Sequence, residues 1–163
     1  MSIIAGRIDN RLLHGIVATQ WYAEIKPQRI MVIDDEYAND PTKKAGMRMS
    51  KPAGSALSII THKTAYDHFK AGKYDNHTVM VIARSPQTFL ELKKIGQIIP
   101  ILTVGGTVTP AEGIPAVQVG RRTFVLNSEI PIYREIAKNG TRIEVRYVPS
   151  DKSEPLSNYV KLD

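Results

Sequence analysis

The densest chemistry in this chain lies near its N-terminus, in Arg7-Ile8-Asp9-Asn10-Arg11-Leu12-Leu13-His14-Gly15. The chain has no cysteine, so histidine is the side chain that joins nucleophilicity to a titration near neutral pH. A neutral imidazole nitrogen of His14 attacking phosphorus in line would give a phosphoramidate. Such a transfer needs charge stabilisation more than covalent help. Arg11, one helical turn before His14, would supply a positive fork, and Arg7 would add to it. The N–H groups of Leu13, His14 and Gly15 would cradle the phosphate oxygens. Asp9 would orient the imidazole or hold Arg11. A second reading of the same residues stays open, in which Arg7, Asp9 and Arg11 form a salt-bridge cluster and His14 merely packs. His62, His68 and His77 stand in polar or helical surroundings and read as surface or packing residues.

The surrounding elements would place this stretch where ligands bind. The apolar run Ile3-Ile4-Ala5 reads as a strand, and Ile16 to Ile25 has helical spacing of apolar residues. The motif then occupies the turn at a strand's carboxyl end, the ligand-binding edge of open α/β sheets. Further strands are expected at Arg29–Asp34, Ser55–Ile60, Thr78–Ala83 and Pro100–Val104, running into Gly105-Gly106. Helices are expected from Asp40-Pro41 to before Pro52, from Thr61 to Gly72, and from Ser85-Pro86 to Gly96, each with a capping side chain at its start. Ala116–Val119 and Thr123–Leu126 read as short strands. Ser128 would cap a helix running to Lys138, which Asn139-Gly140 ends.

Arg142 to Val148 alternates, with Ile143, Val145 and Tyr147 against Arg142, Glu144 and Arg146, as in a strand with one wet face. The tail beyond about Pro149 is polar and is expected to be loosely packed. Alternating strands and helices predict an α/β fold: an open, mainly parallel sheet with helices on both faces and an alternating C-terminal strand near an edge. Residues 1–163 read as a single domain.

Composition narrows the class. Hydrophobic residues make up 42% and charged residues 23% of the 163, ordinary for a soluble globular chain. No apolar run approaches the roughly 20 residues of a membrane span, and no secretory signal pattern is present. The net charge is +6, but Lys43-Lys44, Lys93-Lys94 and Arg121-Arg122 are isolated pairs. Without aromatic interleaving or zinc-finger spacing, nucleic acid is the weaker use of that charge.

Other candidates carry less. Asp34-Asp35-Glu36 could hold magnesium, yet the expected central strand ends in Ile82-Ala83-Arg84-Ser85, without the aspartate a receiver-type site needs; a solvated strand end is the plainer reading. No metal site is assigned. Gly105-Gly106 could form a second backbone cradle opposite His14, or a turn needing positive φ. No Gly-x-Gly-x-x-Gly or Walker pattern occurs.

Gly6-Arg7-Ile8-Asp9-Asn10-Arg11-Leu12-Leu13-His14-Gly15 resembles the signature of the IIB subunit of the mannose/sorbose-type phosphoenolpyruvate:sugar phosphotransferase system. Trp21, Asp34-Asp35-Glu36 and Val104-Gly105-Gly106 add to the resemblance, which spans essentially the whole chain. It implies a cytoplasmic phosphocarrier, peripherally associated with a membrane complex and without a cofactor beyond a transient phosphoryl group. His14 would take that group, at Nδ1, from a phosphohistidine on a IIA partner. It would pass it to a sugar entering through membrane IIC and IID subunits, with Arg11 supporting the phosphate. Asn10 and Ile16 depart from the pattern, which has an acidic residue and a glutamine there. The alternatives are a metal-dependent enzyme of doubly wound type and a basic nucleic-acid-binding module. A homo-oligomer is left open.

Overall fold

Continuous apolar runs that alternate in which face they bury need a layer on each side, and the computed structural model, which describes residues 2–163, provides both. Its main sheet has the order β3-β2-β4-β1-β5-β8-β9. The strands are β1 (Ile3–Asp9), β2 (Arg29–Ile33), β3 (Ala56–Ile60), β4 (Val79–Ala83), β5 (Ile101–Gly106), β8 (Arg142–Val145) and β9 (Glu154–Pro155). All the pairings are parallel except that of β8 with β9. A separate antiparallel hairpin joins β6 (Ala116–Gly120) to β7 (Thr123–Leu126).

Side-chain alternation along β2 and β4 divides the core. Met31, Ile33, Val79 and Val81 face one apolar cluster, which takes Ala65 and Phe69 of α4 (His62–Lys70), Phe89 and Leu92 of α5 (Pro86–Lys94), and Tyr133 and Ile136 of α6 (Ile130–Lys138). Ile30, Val32, Met80 and Ile82 face the other. That side takes Met47 of α3 (Pro41–Arg48) and Val17, Ala18 and Trp21 from the helix after β1. This first helix opens at Gly15-Ile16, passes through a π-type stretch, Val17–Trp21, and continues as α1 (Tyr22–Ile25). It leaves β1 on one face, whereas α5 leaves the neighbouring β4 on the other. Connections that diverge in this way open a crevice at the strands' carboxyl ends.

The expected caps at Asp40, Thr61 and Ser85 form, each side chain accepting from a first-turn amide. Four expectations are corrected. β1 runs on through Asp9, because Arg7 and Asp9 find buried partners and so can belong to a strand. A short helix unforeseen in the sequence, α2 (Asp35–Asn39), is capped by the Asp34 carboxylate. Ser128 lies within a 3₁₀ turn, Asn127–Glu129, and the Glu129 carboxylate, not the Ser128 hydroxyl, accepts from the Leu126 amide.

The fourth correction concerns the C-terminal segment. β8 stops at Val145; its supposed wet face is buried at Glu144, and Arg146 and Tyr147 turn over the end of β1. The tail is not loosely packed: β9 pairs with β8, and Leu156 and Val160 are buried in the first cluster. Leu156 and Val160, with Leu162 packed on the same cluster, anchor the otherwise polar tail. Among the described residues no helix is long and apolar enough to cross a membrane.

Candidate functional site

The site is built outward from Arg7. Its guanidinium, fully buried on β1, donates to Asp9 Oδ2 at 3.3 Å and to the carbonyls of Arg146 and Tyr147 at 3.1 and 3.0 Å. It also lies over the Trp21 ring, 4.9 Å from the centroid, and Trp21 Nε1 donates to the Tyr147 carbonyl at 2.9 Å. Burial pulls the Arg7 pKa below its ordinary value, and Asp9 opposes that pull. Arg7 is therefore not placed as a phosphate-binding arm, since its guanidinium is fully buried and each of its three nitrogens already donates inside the protein. It is a buried counter-charge.

Asp9 is only 1% exposed. Its Oδ1 accepts the Arg11 amide at 3.0 Å, while Oδ2 meets His14 Nε2 at 3.0 Å. Burial by itself would raise its pKa. The His14 hydrogen bond, the Arg7 charge and the Arg11 amide outweigh burial and hold the carboxyl below its ordinary value. The carboxylate is thus ionised at neutral pH and fixes the imidazole from one side. His14 is 15% exposed, and its carbonyl accepts the first helical bond, from the Ala18 amide at 2.8 Å.

What carries the chain from Asp9 to His14 is a strained turn. The Leu12 amide donates to the Asp9 carbonyl, and Leu12 takes φ 59°, a left-handed conformation that costs an ordinary residue about 1–2 kcal/mol. Burial of Leu12 and Leu13 in the second core cluster offsets it, at roughly 1.5–3 kcal/mol for each buried side chain. The two leucines act as anchors that aim the histidine. Gly15 follows at the exposed start of the helix, with nothing within 4 Å of where a Cβ would project.

Gly105 and Gly106 do not make the turn of positive φ that the sequence allowed. Neither has a positive φ, and both are buried at the end of β5. A Cβ at Gly105 would overlap the Arg7 guanidinium, and one at Gly106 would press on Asn10 Oδ1 at 3.2 Å. The pair leaves room for the charged core of the site, and Gly106 also lines the cleft beside Arg11. Arg11 is exposed and donates from Nη2 to Tyr147 Oη at 2.7 Å. Of the two departures from the motif, Asn10 donates its backbone N–H to the Gly106 carbonyl at 3.0 Å, and Ile16 packs on the second core cluster. Trp21, Arg146 and Tyr147 are the components that residue-by-residue reading missed as parts of the network. The single tryptophan was the only local signal.

The other candidates resolve into structure. Asp34 takes a two-pronged bond from Arg84 at 2.8 and 3.0 Å, Glu36 pairs with Lys43 and Arg84, and Asp35 pairs with His62. Each carboxylate already has a cation or a histidine as partner. Among the described residues no three His, Cys, Asp or Glu side chains converge to hold a metal ion.

Fold and site together define a doubly wound α/β protein that presents an aspartate-oriented histidine at the carboxyl end of its first strand. The sequence model of the PTS system sorbose subfamily IIB component matches residues 3–163, and the chain belongs to that family. Such IIB components are phosphotransferases that pass a phosphoryl group from a IIA component to a sugar. The sorbose-specific EIIB component of Klebsiella pneumoniae is 29% identical over 154 residues, covering 94% of this chain and 92% of that one. The crystal structure of the IIBSor domain of the sorbose permease from Klebsiella pneumoniae superposes with a TM-score of 0.86 at 28% identity, over 97% of this chain and 95% of that one. The mannose-specific EIIAB component of Escherichia coli (strain K12) is 30% identical over 151 residues, 93% of this chain but 46% of that longer protein.

Proposed function

We propose that this IIB component works in the cytoplasm as a phosphocarrier whose His14 accepts a phosphoryl group at Nδ1 from a IIA phosphohistidine. The observation that carries the reading is the engagement of His14 Nε2 by the buried Asp9 carboxylate. With Nε2–H donated to Asp9, the lone pair resides on Nδ1. That nitrogen forms the new N–P bond as the donor's N–P bond breaks, and the donor imidazole leaves neutral. Positive charge gathered on the ring is stabilised by ionised Asp9, the role a buried aspartate plays beside a catalytic histidine.

Arg11, and the N–H groups of Leu13 and Gly15 around the helix start, hold the phosphate oxygens. In the second half-reaction a sugar hydroxyl attacks phosphorus and His14 leaves, so the scheme uses no resident cofactor. The partners are a IIA phosphocarrier and, at the membrane, IIC and IID subunits that bring in the sugar; IIB associates with them peripherally. The fusion of IIA and IIB named in the Escherichia coli relative supports the IIA partner. The excess of positive charge favours repeated brief encounters with acidic surfaces.

The test is mass spectrometry after incubation with phosphoenolpyruvate, the general phosphotransferase proteins and a cognate IIA. Acid-labile phosphate is expected on His14 and is lost in His14→Ala. Label on a serine or an aspartate would overturn the assignment.

A further inference from the structure

Tyr147 lies outside the motif, on the turn that follows β8, yet it meets the site through both of its ends. Its carbonyl accepts from Arg7 Nη2 and Trp21 Nε1, as described above. Its hydroxyl accepts from Arg11 Nη2 at 2.7 Å and from Arg122 Nη1 at 3.5 Å, and the Arg122 guanidinium lies over its ring, 5.3 Å from the centroid. The two arginines lie far apart in the sequence. Arg11 sits on the loop that carries His14, and Arg122 on the turn between β6 and β7. All three groups border a cleft of about 340 Å³ that is also lined by Gly106, Thr107 and Thr109.

We infer that Arg11, Arg122 and Tyr147 form one anion-holding unit, in which Tyr147 positions the two guanidinium groups and donates its own proton to a phosphoryl oxygen. The argument rests on the donor and acceptor inventory of a phenol. Its oxygen has lone pairs to accept N–H bonds and a single proton to give. Here both arginines donate to that oxygen, so the proton is left to point at a third group. Two guanidinium groups held this close repel each other unless something between them accepts from both. The phenol oxygen does so in the resting protein, and an anion would do so when bound. Arg122 also shows that the hairpin belongs to the site: without it the fork would have one prong.

This inference rests on the phosphocarrier reading for its purpose, but its first test does not. Inorganic phosphate is titrated into the full chain and followed by amide chemical shifts. The shifts are expected at Arg11, Arg122 and Tyr147. Tyr147→Phe and Arg122→Gln should each weaken phosphate binding by roughly tenfold, the worth of one hydrogen bond to a charged group. Tyr147→Phe keeps the ring, the stacking on Arg122 and the carbonyl, so its thermal midpoint should match the parent's.

The second test is the rate of phosphoryl acceptance in a double-mutant cycle of Tyr147→Phe with Arg122→Gln, where the losses should be less than additive. Phosphate affinity unchanged in Tyr147→Phe, or a loss that merely follows a lowered thermal midpoint, would overturn the inference. A parent protein that binds phosphate through these residues but takes no phosphoryl group on His14 would instead sink the carrier reading and leave the anion site standing.

Discussion

Two histidine–aspartate pairs sit at the carboxyl edge of the same sheet, and their nitrogen–oxygen distances are both 3.0 Å. What differs is everything around them. Asp9 is buried beside Arg7, 1% exposed, and it grips one ring nitrogen of His14, while the other has no hydrogen-bond partner among the described residues. Asp35 is 62% exposed, and His62 spends both nitrogens, on Asp35 and on the Thr88 hydroxyl at 2.9 Å. The first arrangement holds a ring by one nitrogen, which on the proposed function leaves the other to react. The second is a clamp that ties the start of α4 to α2 and α5. A pair of this kind becomes a candidate nucleophile through the burial of its carboxylate and the nitrogen it leaves over, not through the contact itself.

The sharpest way to break the comparison is to remove each ring. His14→Ala should abolish acid-labile phosphate incorporation, whereas His62→Ala should leave the rate within about twofold of the parent, as surface changes usually do. Equal losses would make the two pairs equivalent and end the distinction. Removing each carboxylate charge comes next. Asp9→Asn strands the buried Arg7 charge and should cost about 3–5 kcal/mol in denaturant unfolding. It should also slow transfer by roughly 10²–10⁴-fold. Asp35→Asn should cost no more than about 1 kcal/mol, the range of exposed ion pairs.

A smaller contrast concerns space. Gly105→Ala pushes against the Arg7 guanidinium and should destabilise by about 1–3 kcal/mol. Gly15→Ala meets nothing and should change stability by no more than about 0.5 kcal/mol, which isolates any effect it has on transfer.

The smallest effect expected is in acid. Both carboxyls are held below their ordinary value of 3.8: Asp9 against the opposing effect of burial, through His14, Arg7 and the Arg11 amide, and Asp35 through the His62 amide and ring. A depressed folded pKa gives stability that is present above the ordinary carboxylate value and is lost as pH falls through the lower folded value. Unfolding free energy should therefore drop below about pH 4. The drop should shrink in Asp9→Asn and hardly change in Asp35→Asn.

Much of this protein is legible in its sequence. Capping side chains, proline positions and apolar periodicity located most strands and helices, because those signals act over a few residues. Strand lengths were less legible where charge intervened. The apolar run alone places the first strand at Ile3-Ile4-Ala5 and leaves Arg7 and Asp9 to the turn, whereas in the fold each satisfies the other within the strand. The same reasoning misjudged the tail, whose few apolar residues reveal their burial only against β8 and α6. Asp34-Asp35-Glu36 looked like a free acidic strand end. Its partners Lys43, His62 and Arg84 lie on other elements, which no local pattern could bring together.

By itself the amino-acid sequence determined the fold class, the order of elements and the placing of an arginine, an aspartate and a histidine around a strand's carboxyl end. Those follow from periodicity and spacing within one stretch of chain. Tertiary structure alone decided that Arg7 faces inward and Arg11 outward, that Asp9 holds Nε2, and that Tyr147 and Arg122 arrive from distant turns. Burial and partner choice depend on what the rest of the chain packs against each side chain, and that is a property of the folded molecule.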